Sequence, residues 1–178
     1  VNVLVFFLTF VVLAALLAGQ LIFHLYEQFD RELVRVSMPA LEHVRPVSGT
    51  LTLRDPEGRL MAELGEGGFA RVLDAQGNVV EGVGDYHTAP VIQRTLAPAS
   101  NGVIGNQRLD SGRVVRVYTR PLTAPFDTRA AVLGYLQVGK VPEEVLEIIA
   151  QIQRSLLIAL PVALLVVGIA VLWAARKA

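Results

Sequence analysis

The sequence predicts an α+β fold in which two transmembrane helices, with long membrane-proximal helices beside them, flank an antiparallel sheet domain. Three observations carry that expectation. Val1 to Tyr26 and Ser155 to Ala175 contain no Asp, Glu, Lys or Arg, and all but two of the charged residues lie between them. A bilayer's hydrocarbon core takes about 20 apolar residues of helix to cross, so each run is long enough. Apolar residues continue beyond each run at helical spacing, and the stretch between changes to period two with turn residues at the breaks.

Of the 178 residues, roughly 125 to 130 remain once about 45 are assigned to lipid, the size of one domain. The 53% hydrophobic content and mean hydropathy of +0.50 reflect the two end runs, while the middle is mixed. Sixteen basic and sixteen acidic residues cancel, leaving no field to gather nucleic acid, which is not an expected partner. The absence of cysteine excludes disulfides, thiolate chemistry and Cys-type metal sites. The first run is too long to read as a cleaved signal peptide, and Leu17-Ala18-Gly19 is followed by Gln20 where lipidation needs cysteine. A start on Val1 without a basic flank is read as a segment of a longer protein. Arg176 and Lys177 follow the second run directly, whereas Glu27, Asp30, Arg31 and Glu32 after the first are mixed. The positive-inside tendency then places the middle outside, making this a multi-pass protein of a bacterial inner membrane with an extracytoplasmic domain.

Residues 1–25 are read as the first transmembrane helix and 26–46 as its membrane-proximal continuation. Ile22, Tyr26, Phe29, Leu33, Val36 and Ala40 fall at spacings of 4, 3, 4, 3, 4, a heptad seam that Pro39 and Pro46 bring to an end. Residues 47–141 form the outer domain. In it Leu51 to Arg54 and Leu60 to Leu64 flank Asp55-Pro56-Glu57-Gly58, and Ala70 to Leu73 and Val79 to Val83 flank Asp74-Ala75-Gln76-Gly77, which reads as two hairpins. A short helix is expected over Val91 to Ala97. Val103 to Leu109, Val114 to Pro121 and Val132 to Lys140 follow as a three-stranded meander. Residues 142–154 form an exit helix, 155–175 the second transmembrane helix and 176–178 the start of a cytoplasmic relay segment. Val145, Ile149, Ile152, Leu156, Ala159 and Ala163 repeat the 4, 3 spacing. Either these seams pack two copies into one helix bundle, which implies a homodimer, or each packs on the domain it adjoins.

Phe69-Ala70-Arg71-Val72-Leu73-Asp74-Ala75-Gln76-Gly77-Asn78-Val79-Val80 resembles a strand and turn of the extracytoplasmic input region of bacterial membrane-bound sensor histidine kinases. Gly134-Tyr135-Leu136-Gln137-Val138-Gly139-Lys140, leading to Glu143-Glu144-Val145, resembles their final strand and exit helix, and Trp173-Ala174-Ala175-Arg176-Lys177-Ala178 the entry to a HAMP relay. The resemblance implies a PAS-like domain, a five-stranded antiparallel sheet with helices on one face, that senses a stimulus for a kinase region beyond Ala178. An extra hairpin between Gly49 and Gly68 departs from that pattern. The same input architecture also fits a chemoreceptor or a cyclic-dinucleotide enzyme, and a bitopic scaffold holding a periplasmic partner is the alternative of a different class.

No phosphate loop, metal-ligand spacing or catalytic trio occurs, so no catalytic or metal residue and no cofactor is assigned. His24 reads as an interfacial anchor and His43, between Glu42 and the nearby Arg45, as ordinary surface. Candidate ligand residues come from two places. Tyr86 and His87 lie in the excursion where PAS-like sensors close over a ligand. Arg116, Tyr118 and Arg120 share one face of an alternating strand, where two arginines flanking a tyrosine suit a small anionic ligand. The competing reading of that face is a solvated one with its arginines paired to acidic neighbours. Arg71, on an adjacent strand by the family layout, completes the set, and Pro161 is a candidate signalling hinge in the second span.

Overall fold

The computed structural model describes residues 2–47, 50–55, 58–91, 102–109, 111–123 and 132–177, which divide into two compact units. One comprises the chain up to Glu27 and from Glu143 onward; the other is Gln28–Pro142.

The first unit is helical. Helix α1 runs Asn2–Glu42 and helix α3 runs Glu143–Lys177, continuing through Pro161. Both are long enough to cross a membrane and contain an 18-residue stretch apolar enough to do so, with mean hydropathies of 2.2 and 2.1. Leu16, Leu17, Phe23, Leu157, Leu165 and Trp173 are all exposed, an arrangement that costs nothing in lipid and that water would penalise by about 1.5 to 3 kcal/mol per large side chain. Each helix has one less exposed stripe: Val11, Ala14, Ala18, Ile22 and Leu25 on α1, and Ile149, Ile152, Leu156, Leu160 and Ala163 on α3. Glu143 and Glu144 occupy the first turn of α3, where the helix dipole favours them.

In the second unit, the end of α1 departs from expectation at Pro39, which lies inside the helix. Proline removes one N–H and crowds the carbonyl four residues back. The helix nevertheless continues for most of a turn and closes on His43, whose backbone N–H donates to Ala40 O at 3.2 Å and whose Nδ1 bonds Pro39 O at 3.0 Å. The helix therefore stops at Glu42, short of residue 46.

Strand β1, Val44–Val47, pairs antiparallel with β2, Thr50–Leu53, in a separate two-stranded sheet. Pro46, read from the sequence as loop, is accommodated because a two-stranded ribbon leaves each strand one unpaired edge. The expected second arm of the first hairpin is instead a helix, α2, Arg59–Leu64. Leu60 and Leu64, one turn apart, are both buried, Met61, Ala62 and Glu63 are strong helix formers, and Asp55 Oδ2 accepts the Met61 N–H at 3.1 Å. Gly58, with φ of 65°, supplies the left-handed residue that starts it.

Five strands form the main antiparallel sheet: β3 (Gly68–Asp74), β4 (Val79–Gly84), β5 (Val103–Arg108), β6 (Val114–Thr123) and β7 (Val132–Lys140), in the order β4-β3-β7-β6-β5. The second hairpin and the meander are as expected. The extra elements before them, β2 and α2, lie outside this sheet. The helix expected over Val91 to Ala97 falls almost wholly outside the described residues, as does the turn after Thr123.

Alternation gives the sheet two faces. On one, Ala70, Val72, Tyr118, Leu136 and Val138 form a core with Leu33 and Ala40 of α1, Leu53 of β2 and Leu60 and Leu64 of α2, with Phe29 and Val36 packed at its edge. The α1 seam from Phe29 to Ala40 thus packs on its own domain. On the other face, Phe69, Val115 and Val117 cluster with Leu109, Val141, Tyr86 and Ala89.

The β3–β4 turn closes on one carboxylate. Asp74 Oδ1 accepts the N–H groups of Gln76 at 2.9 Å and Asn78 at 2.8 Å, and Oδ2 accepts Asn78 Nδ2 at 2.8 Å, while Gly77 supplies φ of 88°. The bonds from Asn78 foremost hold this carboxyl below the usual carboxylate range. A depressed folded-state value means stabilisation that is present above the unfolded value and lost as pH falls through it. Acid titration of the intact chain should therefore lose stability below about pH 4, and Asp74→Asn should remove part of that acid-dependent step in denaturation midpoints.

Candidate functional site

Arg71 is fully buried at the centre of β3, on the face away from α1 and α2. Alternation directs it there together with Phe69 and Leu73, and β7 and β6 bring in Gln137 and Thr119 from matching positions. Its Nε donates to Gln137 Oε1 at 2.8 Å and Nη2 to Gln107 Oε1 at 3.3 Å. Nη1 donates to the carbonyls of His87, at 3.1 Å, and Ala89. Gln137 is itself oriented by donating to Thr119 Oγ1 at 2.9 Å, and Gln107 donates to the Pro90 carbonyl. The guanidinium carbon lies 5.3 Å from the Phe69 ring centroid, within range of a favourable cation–π contact.

A buried cation is ordinarily matched by a carboxylate. Among the described residues no carboxylate pairs with Arg71, whose hydrogen-bond partners are neutral oxygens. Burial lowers its pKa to about 10, so it stays protonated at neutral pH. The result is a dry, positively charged centre roofed by the residues after β4. Among the described residues it holds no nucleophile with an adjacent base. Among the described residues no group of three His, Asp or Glu side chains is placed to hold a metal ion.

The roof is set by close approach. Gly82 faces both the roof and β3, and a Cβ there would lie 2.8 Å from His87 Cβ and 2.9 Å from Arg71 Cβ, so any side chain would lift the roof. His87 turns its ring back to bond the Gly84 carbonyl through Nδ1, and its backbone carbonyl reaches Arg71. Tyr86 packs on the second core and its hydroxyl accepts from Arg113 Nη1 at 3.4 Å.

Of the residues singled out in the sequence, Arg71, Tyr86 and His87 come together here. Arg116, Tyr118 and Arg120 do share a face, but the opposite one, against α1. Arg116 makes a two-pronged ion pair with Asp30, Nε to Oδ1 and Nη2 to Oδ2 at 2.6 Å, and Nη1 bonds Asn106 Oδ1 at 2.9 Å. Tyr118 is buried in the main core, and Arg120 Nη1 contacts Met38 Sδ at 3.4 Å. That face is covered by helix, and one of its arginines is paired to an acidic neighbour. Gln137 and Gln107 were not singled out; the signal for the first was a lone amide at an inward position between Leu136 and Val138.

Comparison with protein-family models, curated proteins and solved structures finds no match.

Two outcomes test this geometry. Gly82→Ala should speed proteolytic cleavage between Gly84 and Val91 several-fold while leaving the helical circular dichroism unchanged. A double-mutant cycle of Asp30→Asn and Arg116→Gln should give a coupling of about 1 kcal/mol in chemical denaturation, the range for a partly exposed pair of good geometry; additive effects would remove the pair's role in holding α1 to the sheet.

Proposed function

We propose that this chain is the input and transmembrane relay region of a bacterial two-component sensor histidine kinase. Its sheet domain faces the outside of the inner membrane and receives a small anionic ligand at Arg71. The observation that carries this reading is the double use of α1: one unbroken helix whose first part is apolar enough to cross a membrane and whose last part, from Phe29 to Ala40, is core to the sheet. A domain that only tethered a partner would need no such sharing. The five-stranded antiparallel sheet with helices on one face agrees with the PAS-like layout that the sequence resemblance implies.

In this mechanism an anion entering beneath the roof competes with the His87 and Ala89 carbonyls for the Arg71 guanidinium. A full charge is the stronger acceptor, roughly twofold in bond strength. The roof then lifts, and Arg71 reorients against Gln137 on β7. Strand β7 ends at Lys140 and α3 begins at Glu143, so the strand feeds the second span through two residues. Signalling follows if the helices have two discrete packings that the bound and unbound domains favour differently. Homodimerisation supplies that bundle through the stripes on the membrane portions of α1 and α3, since the Phe29 to Ala40 stretch is already occupied within one copy. Pro161, inside α3, is the place where the relay bends.

The test is a chimera joining this chain at Ala178 to a histidine-kinase relay and catalytic region. One alanine inserted after Gln153 rotates the rest of α3 by about 100° and should abolish regulated output; unaltered regulation would overturn the relay. Separately, the intact chain in nanodiscs should gain about 4 °C or more in thermal midpoint from at least one small carboxylate or inorganic phosphate near saturation, and Arg71→Met should lose that gain.

A further inference from the structure

At the other end of the domain, the side chain of Asp55 is 2% exposed, yet its Oδ1 has no hydrogen-bond partner. Its second oxygen is committed to the Met61 N–H that opens α2. His43 Nε2 stands 3.8 Å from Oδ1. This is too long for a hydrogen bond and close enough to become one with a small movement.

The tautomer of His43 decides what that gap means. Nδ1 lies 3.0 Å from the Pro39 carbonyl, an acceptor only, so Nδ1 carries the proton. In the neutral ring Nε2 is then a bare lone pair, and it faces a carboxylate oxygen. Two acceptors aimed at each other attract nothing, and both stay unsatisfied. One proton on Nε2 changes both at once: the lone pair becomes a cationic donor, and the orphaned Oδ1 gains a charge-assisted bond in a nearly dry position. Of the other charged residues on the joined and packed elements, Glu42 of α1, Arg45 of β1, Arg54 beside Asp55, and Arg59 and Glu63 of α2 are solvent-exposed, as is Glu81 of β4, whose Oε2 accepts the Leu53 N–H at 2.9 Å.

We propose that His43 and Asp55 form an acid-closed latch that ties the end of α1 to the corner where β2 leads into α2. The backbone already meets there, the Arg54 N–H donating to the His43 carbonyl at 3.0 Å, so closure needs only the side chains to move. Acidification of the outer medium fastens the last turn of α1 to the domain, and neutral pH releases it. This is a second input, at a different place from the Arg71 centre, and it acts on α1 rather than on β7.

The test is a double-mutant cycle of His43→Gln and Asp55→Asn in the full chain in nanodiscs, at pH 5.5 and pH 8, which bracket the usual imidazole range. The two positions should couple by about tenfold in the unfolding equilibrium constant at pH 5.5 and by about onefold at pH 8. Equal coupling at the two pH values would overturn the latch. So would an acid response that survives in His43→Gln. Should a variant fail to fold, nitrogen NMR of the wild-type imidazole at pH 8 decides: the Nδ1–H tautomer is required, and the Nε2–H tautomer overturns the proposal.

Discussion

A single helix serves two compact units of different character, and most of the sheet domain follows from that. Up to Glu27, α1 presents exposed leucines and phenylalanines in a stretch apolar enough to cross a membrane; from Gln28 it buries Leu33 and Ala40 against a sheet. The sheet answers with an apolar face built from Ala70, Val72, Leu136 and Val138. Because those positions alternate, the opposite face is fixed as well, and it is the one that receives Arg71 and Gln137. The helix contact thus determines where the polar centre can lie. The Asp30–Arg116 pair adds direction to a contact that apolar burial alone would leave free to slide or rotate.

How legible all this was in the sequence depended on whether the deciding partner was local. Strand β7 could be read with both its limits, and the β3–β4 hairpin followed from Asp74 and Gly77, because turn chemistry and alternation are properties of neighbours. Helix α2 was misread as a strand, since the turn signal at Asp55 to Gly58 suggested a hairpin. What makes it a helix is the burial of Leu60 and Leu64 under α1 and the sheet, together with the reach of Asp55 to Met61. Pro46 looked like a breaker because nothing nearby says that its strand has a single partner. The alternation of Arg116, Tyr118 and Arg120 was legible; the helix lying over that face was not, because Asp30 is 86 residues away. Arg71 and its roof were only half visible, since Gln137 and Gln107 enter from strands far along the chain.

The polar centre and the His43–Asp55 corner share a physical feature that separates them from the rest of the domain. Each holds an ionisable group inside the fold without the matched opposite charge that would settle it. In one the cation is solvated by amide and carbonyl oxygens; in the other the carboxylate is held with one oxygen unanswered. Both are places where an arriving charge, an anion or a proton, changes the local interactions more than it would at the surface, because the surroundings screen it less.

Strand β7 is paired along its length on both sides, with β3 from Gly68↔Lys140 to Asp74↔Gly134 and with β6 from Arg116↔Lys140 to Thr123↔Val132. Sliding it by one residue would turn Leu136 and Val138 out of one core and push Gln137 and Tyr135 into it, and the next allowed register is two residues away, a jump of nearly 7 Å. The strand is therefore stiff in shear. A push applied to it does not stretch or creep along the ladder; it carries the neighbouring strands along. What can tilt is the slab as a whole, so a displacement imposed on the strand at Gln137 would reach Lys140 with little lost to internal give.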